Sequence, residues 1–472
     1  MSQVLLAIDE GTSSARAIVF SLRGDILGLG RHPIPLYYPQ PGWVEQDPEE
    51  IWEAQYEAIS EALQTAGVAP SDIAAIGITN QRETTIAWNP QTGRPYGRAI
   101  VWQDRRTASL CEALSSQGDF LRQRTGLVID PYFSASKMAW LLKEGGVPRT
   151  AQFGTVDAWL LLKLTGKAQT DVSNASRTLL FDIHTLRWER ELMQVFDLDG
   201  IHLPPVRPSG SFYGETRLGG TAIPIYAVIG DQQASLYGHG AHAPGTAKNT
   251  YGTGCFLLKN IGSTPQPAPA GLLTTIAWQI EGQAPVYAWE AAIFSAAAAL
   301  QWLESIGILS SYAELDTLKG APGEVFFVPA FTGLGAPYWD PYARGLIIGL
   351  TRETSRESLL LAALEAMAYQ SADALESFGF IEELHVDGGV SVNAHLMQLQ
   401  ADLIQKPIVR PIHGEVTAWG AAALAGRMAG LSIKDLPVEQ RWTPQAKRGS
   451  LERWRQAIQR ALRWAQPNIS PN

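Results

Sequence analysis

Several short stretches carry residue types that could do chemistry. The first apolar run ends in a lone acid, Asp9, followed by the turn Gly11-Thr12-Ser13-Ser14 and a second apolar run from Ala15 to Phe20. A turn of glycine and small hydroxyl residues between two strands offers backbone N–H and O–H donors at close range, as phosphate oxygens require. A carboxylate at the strand end is a hard oxygen ligand of the kind that holds Mg²⁺, largely through water. The pattern is not a P-loop, which needs Gly-Lys-Ser/Thr opening a helix. By itself it reads more readily as a plain surface hairpin with a capping aspartate. A second hairpin, "TYGTGCF", places Gly252-Thr253-Gly254 at its turn. A third stretch, "VDGGVSVN", puts Gly388 and Gly389 between a strand and a helix start. There the backbone can approach a ligand closely and the helix dipole favours an anion.

A second group of residues suits a polar acceptor. "TNQRETT" sets Arg82 beside Glu83 after a strand. Such a pair is either a solvated surface pair of little consequence or, at a strand end facing a cleft, a donor–acceptor clamp for hydroxyls. Trp102 in "VWQDRR" is core or an apolar wall. Asp231 in "GDQQ" stands between a strand and a helix. It is an N-cap or the base that takes a proton from an attacking alcohol. His239 and His242 are three apart with no cysteine or further histidine nearby, and read as helix-end or hinge residues.

The elements that must position these residues alternate between strand and helix, which implies α/β layers. Val4–Asp9 and Ala15–Phe20 form a hairpin, "LRGDILG" a further turn and strand, and residues 47–65 a helix. That helix has Asp47 as cap, Pro48 at its first position, Glu50 completing a capping box, and Trp52, Tyr56, Ile59 and Leu63 on one face. "IAAIGITNQ" and "IPIYAVIG" are strands ending in polar residues. The helix from Ser355 to Ser377 carries a capping box, Thr354 with Glu357, and the Pro- and Gly-rich stretch 261–271 is a loop. Small, hydroxylated hairpin turns near residues 12 and 253 point to two halves with a common plan, 1–240 and 241–472, divided around "YGHGAHAPG".

A length of 472 residues suits two or three domains. The chain is 46% apolar with a net charge of −9, an ordinary soluble composition. It argues against nucleic acid or an anionic membrane as the main partner. Two cysteines make no disulfide framework and suggest a reducing compartment. No apolar run spans a bilayer, and the N-terminus lacks a basic segment before its apolar run, so a cytoplasmic location is expected.

The two hairpins and the Gly-Gly turn, in that order, resemble the two phosphate loops and adenosine loop of the actin, Hsp70 and sugar-kinase superfamily. Nearly end to end, the chain resembles the FGGY carbohydrate kinases, and among them those that phosphorylate glycerol. The resemblance rests on "NQRETT", "VWQDRR", "PYFSASKMAWLL", "GDQQASLYG", "AKNTYGTGCF", "PAFTGLGAPYWDPYARG" and "VDGG" in order. It implies two actin-like (ribonuclease H-like) α/β domains flanking a deep catalytic cleft, with ATP and Mg²⁺ as cofactors. The implied reaction yields sn-glycerol 3-phosphate, and relatives often form dimers or tetramers. Glycerol would be held by Arg82, Glu83, Tyr132, Asp231 and Gln232, with Trp102 and Phe256 against its carbon face and Asp231 as general base. Thr12, Ser13, Ser14 and Arg16 would contact phosphates, Arg16 neutralising charge during transfer. Thr253 and Gly254 would serve the phosphates from the other side, and Ala297, Gln301, Gly389 and Asn393 the rest of the nucleotide. Asp9 and Asp231 would flank the metal.

The chain departs from the family pattern at several positions. Glu10 stands where Gln is usual, Ala15 where Ser is common, and Ala297 where a Gly usually contacts nucleotide. Relatives controlled by fructose 1,6-bisphosphate carry a longer Gly-rich loop ending in Arg, where this chain has Ala222. Others are phosphorylated on a His, where this chain has Ser211. Neither control is expected here. The rival readings are a xylulose or gluconate kinase, and a non-catalytic nucleotide sensor on the same fold.

Overall fold

The computed structural model describes residues 3–318, 320–446 and 449–466. The first strand, β1 (Val4–Glu10), is buried at every position. An unbroken apolar run marks a strand covered on both faces. It pairs antiparallel with β2 (Ser14–Phe20), which pairs antiparallel with β3 (Ile26–Pro33). After α1 (Pro48–Ala66), strand β4 (Ile73–Asn80) lies parallel to β1. The hairpin of β5 (Gly210–Leu218) and β6 (Thr221–Gly230) completes a six-stranded sheet of order β5-β6-β4-β1-β2-β3, and α2 (Asp231–Gly238) follows.

The second half repeats this plan. Strands β7 (Ala247–Tyr251), β8 (Cys255–Gly262), β9 (Leu273–Trp278) and β10 (Val286–Ile293) are followed by helices α3 (Ala297–Ser305) and α4 (Arg356–Ser377). Then come β11 (Leu384–Asp387), α5 (Ala394–Ile404), β12 (Ile408–Pro411), α6 (Val416–Met428) and β13 (Val438–Trp442). The sheet order is β9-β10-β8-β7-β11-β12-β13. Without the edge strand β9, the series β10-β8-β7-β11-β12-β13 matches β3-β2-β1-β4-β6-β5, with the same parallel and antiparallel pairings.

Register decides where the polar strand ends meet. In the first sheet Asp9 stands opposite Thr79, and Gly230 opposite Asn80, across parallel ladders. Three strands therefore deliver Asp9, Arg82–Glu83 and Asp231 to one edge. In the second sheet Thr250 stands opposite Asp387, so the Gly252–Gly254 turn and the Gly388–Gly389 turn share an edge too. Ligands of open α/β sheets bind beyond such carboxyl ends.

Helix α6 crosses between the halves. Its Ala418, Ala421, Ala422 and Leu424 share an apolar cluster with Ala7, Ala75 and Ala227 of the first sheet. Small residues allow the approach: a Cβ on Gly420 would lie 1.9 Å from the Ala234 carbonyl of α2.

Local expectations need correction in places. The buried face of α1 is Ile51, Ala54, Gln55, Ala58, Ile59 and Ala62, and Tyr56 is 52% exposed. The helix lies so close to β3 that a Cβ on Gly30 would come within 2.1 Å of the Ala58 carbonyl, so alanines face β3 at the crossing, while Trp52 and Leu63 pack half-buried against the core. Glu50 makes no capping box but accepts from the Tyr37 hydroxyl at 2.8 Å. Ser355, not Thr354, caps α4. The Gly-Gly turn opens into a 3₁₀ turn, Gly389–Val392, and Asn393 caps α5.

Candidate active site

Thr12, Ser13, Arg82, Glu83, Trp102, Tyr132, Asp231, Thr253, Gly254 and Phe256 line one cavity of about 170 Å³ between the halves. The first-sheet strands supply its charged floor and the β7–β8 turn its far wall. Trp102 stands edge-on to both Tyr132 and Phe256, with ring centroids 5.7 and 6.0 Å apart, and donates its indole N–H to the Thr12 hydroxyl at 2.9 Å.

The Arg82–Glu83 pair is not a surface pair. Both side chains are almost wholly buried, 1% and 2% exposed, with Arg82 Nε 3.8 Å from Glu83 Oε1. Arg82 Nε also lies 3.2 Å from Asp231 Oδ1. Glu83 holds a left-handed backbone, φ 62°, which a residue with a side chain adopts at a cost. The hydroxyls of Ser134 and Thr85 donate to its carbonyl at 3.0 and 3.1 Å and hold it there. Burial pushes the Glu83 carboxyl up, against the pull of Arg82 and Arg177.

Asp231 is the first residue of α2 and not its cap; the cap is Gly230. Its Oδ1 accepts from the Gln232 amide at 2.7 Å and Oδ2 from Gln232 Nε2 at 3.0 Å. Gln232 is oriented by a residue that sequence reasoning missed. Lys248 on β7 donates to Gln232 Oε1 at 2.6 Å and to the Thr250 hydroxyl at 2.8 Å. Burial pulls this lysine down to about 8. The only sequence signal is a lysine in the short stretch that leads into the Gly252–Gly254 turn.

Asp9 and Arg16 sit side by side at the end of the first hairpin. Arg16 Nη2 donates to Asp9 Oδ2 at 2.5 Å, and Nη1 to Glu415 Oε2 at 2.8 Å, so Arg16 bridges the two halves. Burial raises the Asp9 carboxyl to about 6, with Arg16 opposing and Glu415 and Asp231 adding to the rise. Glu10 is buried, accepts from Gln81 at 3.2 Å, and is pushed well up by burial. Asp9 and Asp231 add to the rise, while the hydrogen bond from Gln81 opposes it. The Ser14 hydroxyl accepts from Arg31 at 3.3 Å and is not among the cavity-lining groups.

The remaining nucleotide candidates lie apart from this cavity. Ala297 opens α3 and is buried, and Gln301 is exposed one turn later. Asn393 accepts from the Leu396 amide and donates to Asp316, both at 2.9 Å, while nothing would crowd a Cβ on Gly389. His239 is buried against Asp387 at 3.3 Å, and His242 faces Asp435 at 3.4 Å. Among the described residues no three histidine, cysteine, aspartate or glutamate side chains group as a metal site. Likewise none of the described helices is long and apolar enough to cross a membrane. Cys111 and Cys255 are buried and unpaired. Ser211 and Ala222 fall in the β5–β6 hairpin, whose turn is the two residues Gly219 and Gly220.

Comparison with known proteins gives this geometry a context. The model of the N-terminal domain of the FGGY family of carbohydrate kinases matches residues 4–238, and that of its C-terminal domain residues 247–429. The glycerol kinase of Citrifermentans bemidjiense is 47% identical over 492 residues, covering 98% of this chain and 99% of its own. That of Thermus brockianus is 49% identical over 491 residues, with the same coverage. The glycerol kinase of Plasmodium falciparum, solved with ADP, has a TM-score of 0.87 at 31% identity over 98% of both chains. The gluconate kinase of Lactobacillus acidophilus, 19% identical with a TM-score of 0.83 over 94% of both chains, shares the fold.

Proposed function

This chain belongs to the FGGY family of carbohydrate kinases, and from that premise we propose that it transfers the γ-phosphoryl group of ATP to a terminal hydroxyl of glycerol, giving sn-glycerol 3-phosphate and ADP. The observation that carries the reading is the small cavity itself: about 170 Å³, with carboxylates and a guanidinium on one side and aromatic rings on the other. A three-carbon triol needs a partner for every hydroxyl once water is excluded, and an apolar wall for its C–H edge. Arg82, Glu83, Tyr132 and Gln232 pair the hydroxyls, and Trp102 and Phe256 cover the carbons. An analogue lacking a hydroxyl leaves one of these buried groups unpaired, which is where discrimination arises.

Asp231 accepts the proton of the attacking hydroxyl as the new O–P bond forms. The bond from the γ-phosphorus to the bridging oxygen breaks, and the electron pair leaves with ADP. Phosphoryl transfer asks mainly for alignment and charge neutralisation. The hairpin residues Thr12, Ser13 and Ser14 and the turn Thr253–Gly254 clasp the phosphates from both halves. Ala297, Gln301, Gly389 and Asn393 take the rest of the nucleotide. Arg16, anchored by Asp9 and Glu415, sets positive charge beside the transfer path.

The residues present fit Mg²⁺. Asp9 and Asp231 are two carboxylates close enough for the charge of one to raise the other, and Arg16 engages the Oδ2 of Asp9. A pair of carboxylates, with water and phosphate oxygens completing the shell, is the usual setting for this ion. Asp9 and Asp231 would hold Mg²⁺, which would supply neutralisation of the phosphate oxygens when bound.

The test is ADP release from Mg·ATP with glycerol, dihydroxyacetone, xylulose, gluconate or no acceptor. Release with glycerol, lost in Asp231→Asn, is expected. Release with xylulose or gluconate and not glycerol would overturn the acceptor assignment. ATP binding without any acceptor-dependent release would favour a sensor.

A further inference from the structure

We propose that Glu290 is a positioning residue for the acceptor clamp: it engages both terminal nitrogens of Arg82 and so turns the Nε–H edge of the guanidinium into the cavity as the donor for an acceptor hydroxyl. The inference rests on the reading of that cavity as the acceptor site.

Glu290 stands on β10 of the second half and is fully buried, 208 residues from Arg82. Its Oε2 accepts from Arg82 Nη1 at 2.8 Å, and its Oε1 from Arg82 Nη2 at 2.8 Å and from Arg177 Nη2 at 3.0 Å. Arginine has five N–H donors. The two other terminal hydrogens of Arg82 are also engaged, by Gln233 Oε1 at 3.1 Å and the Tyr132 hydroxyl at 3.2 Å. Only Nε–H remains. It is buried and has no well-aligned partner, although Asp231 Oδ1 lies 3.2 Å away. A buried donor left unpaired is costly, and a hydroxyl in the cavity beside both Arg82 Nε and Asp231 would satisfy it while standing next to the proposed base.

Arg177 does the matching work on Glu83. Its Nε donates to Glu83 Oε1 at 2.7 Å, which leaves Oε2 for the cavity. The cluster therefore contains two guanidiniums and two carboxylates, one of each from the Arg82–Glu83 clamp and one of each behind it. Burial alone would raise Glu290, but Arg177 and Arg82 outweigh it and hold the carboxyl down at about 2. It is thus an anion throughout the working pH range, and the clamp is assembled only when a second-half strand reaches across to the first.

The experiment is steady-state kinetics on the intact chain with glycerol and Mg·ATP, beside calorimetric titration of glycerol alone. Glu290→Gln keeps the shape and removes the charge. The expected result is a glycerol KM raised about ten- to a hundredfold and a matching loss of glycerol affinity, with the KM for ATP held within about twofold. Where Glu290→Gln does not fold, the pair Glu290→Gln with Arg177→Met removes one charge of each sign, leaves Arg82 and Glu83 balanced, and carries the same expectation. A folded variant whose glycerol KM is unchanged, or whose glycerol and ATP KM rise in parallel, would overturn the proposal in favour of a purely structural ion pair. Should the wild type turn over another polyol and not glycerol, the acceptor reading fails by itself, and the same comparison on that polyol decides the role of Glu290.

Discussion

At the scale of single residues, the site is a set of buried charges whose partners come from distant parts of the chain. The base and the clamp were legible in the sequence because they are local: Asp231 follows an apolar strand, and Arg82 and Glu83 are adjacent. Their supports were not legible. Lys248 lies 16 residues from Gln232, Arg177 94 from Glu83, and Glu290 208 from Arg82. No spacing rule connects side chains brought together by sheet register. Removing the base in Asp231→Asn should lower kcat by about 10²–10⁴-fold, the span of general base catalysis, with ATP affinity retained in equilibrium binding. Lys248→Met should raise the glycerol KM by about tenfold, because the Gln232 amide loses the partner that turns its Nε2 toward Asp231. Full activity in Lys248→Met would mean that Gln232 keeps its orientation unaided.

At the scale of elements, hydrophobic patterning identified the strands that carry the site, because buried parallel strands read as unbroken apolar runs. It misjudged faces and caps. The aromatic residues of α1 look like a core face, yet where α1 crosses the glycines of β3 only Ala58, Ala62 and Ala66 fit, and Tyr56 is left exposed. Ser355 and not Thr354 caps α4, a shift of one residue that competing hydroxyls do not reveal. The crossing of α6 onto the first sheet was also invisible, since its alanines fit any close contact. That crossing predicts a cost: Gly420→Ala would force a methyl against the Ala234 carbonyl, 1.9 Å away. Overpacking of this kind should destabilise the chain by about 1–3 kcal/mol, read as a lower urea midpoint. An unchanged midpoint would mean that α2 and α6 can separate freely.

At the scale of the whole molecule, the two-domain α/β fold implied by the family resemblance is the fold observed, and the repeated strand order explains why hairpin turns recur near residues 12 and 253. Its stability should depend on pH through a buried acid remote from the cleft. Asp157 is raised to about 7 by burial and by the charge of Asp171, while Thr155 and Thr170 donate to it. A carboxyl whose folded pKa exceeds its unfolded value, about 3.9, adds stability that is complete below that value and is lost as pH rises toward 7. Stability to urea should therefore fall by a few kcal/mol, in order of magnitude, between pH 4.5 and 7.5 from this group. Asp157→Asn should flatten that part of the profile; an identical slope in the variant would remove Asp157 as the cause. The most direct measurement of the central claim is ³¹P NMR of Mg·ATP, glycerol and the intact protein. The account predicts one new phosphomonoester resonance growing in step with ADP. ADP accompanied only by inorganic phosphate, or no ADP at all, would contradict it.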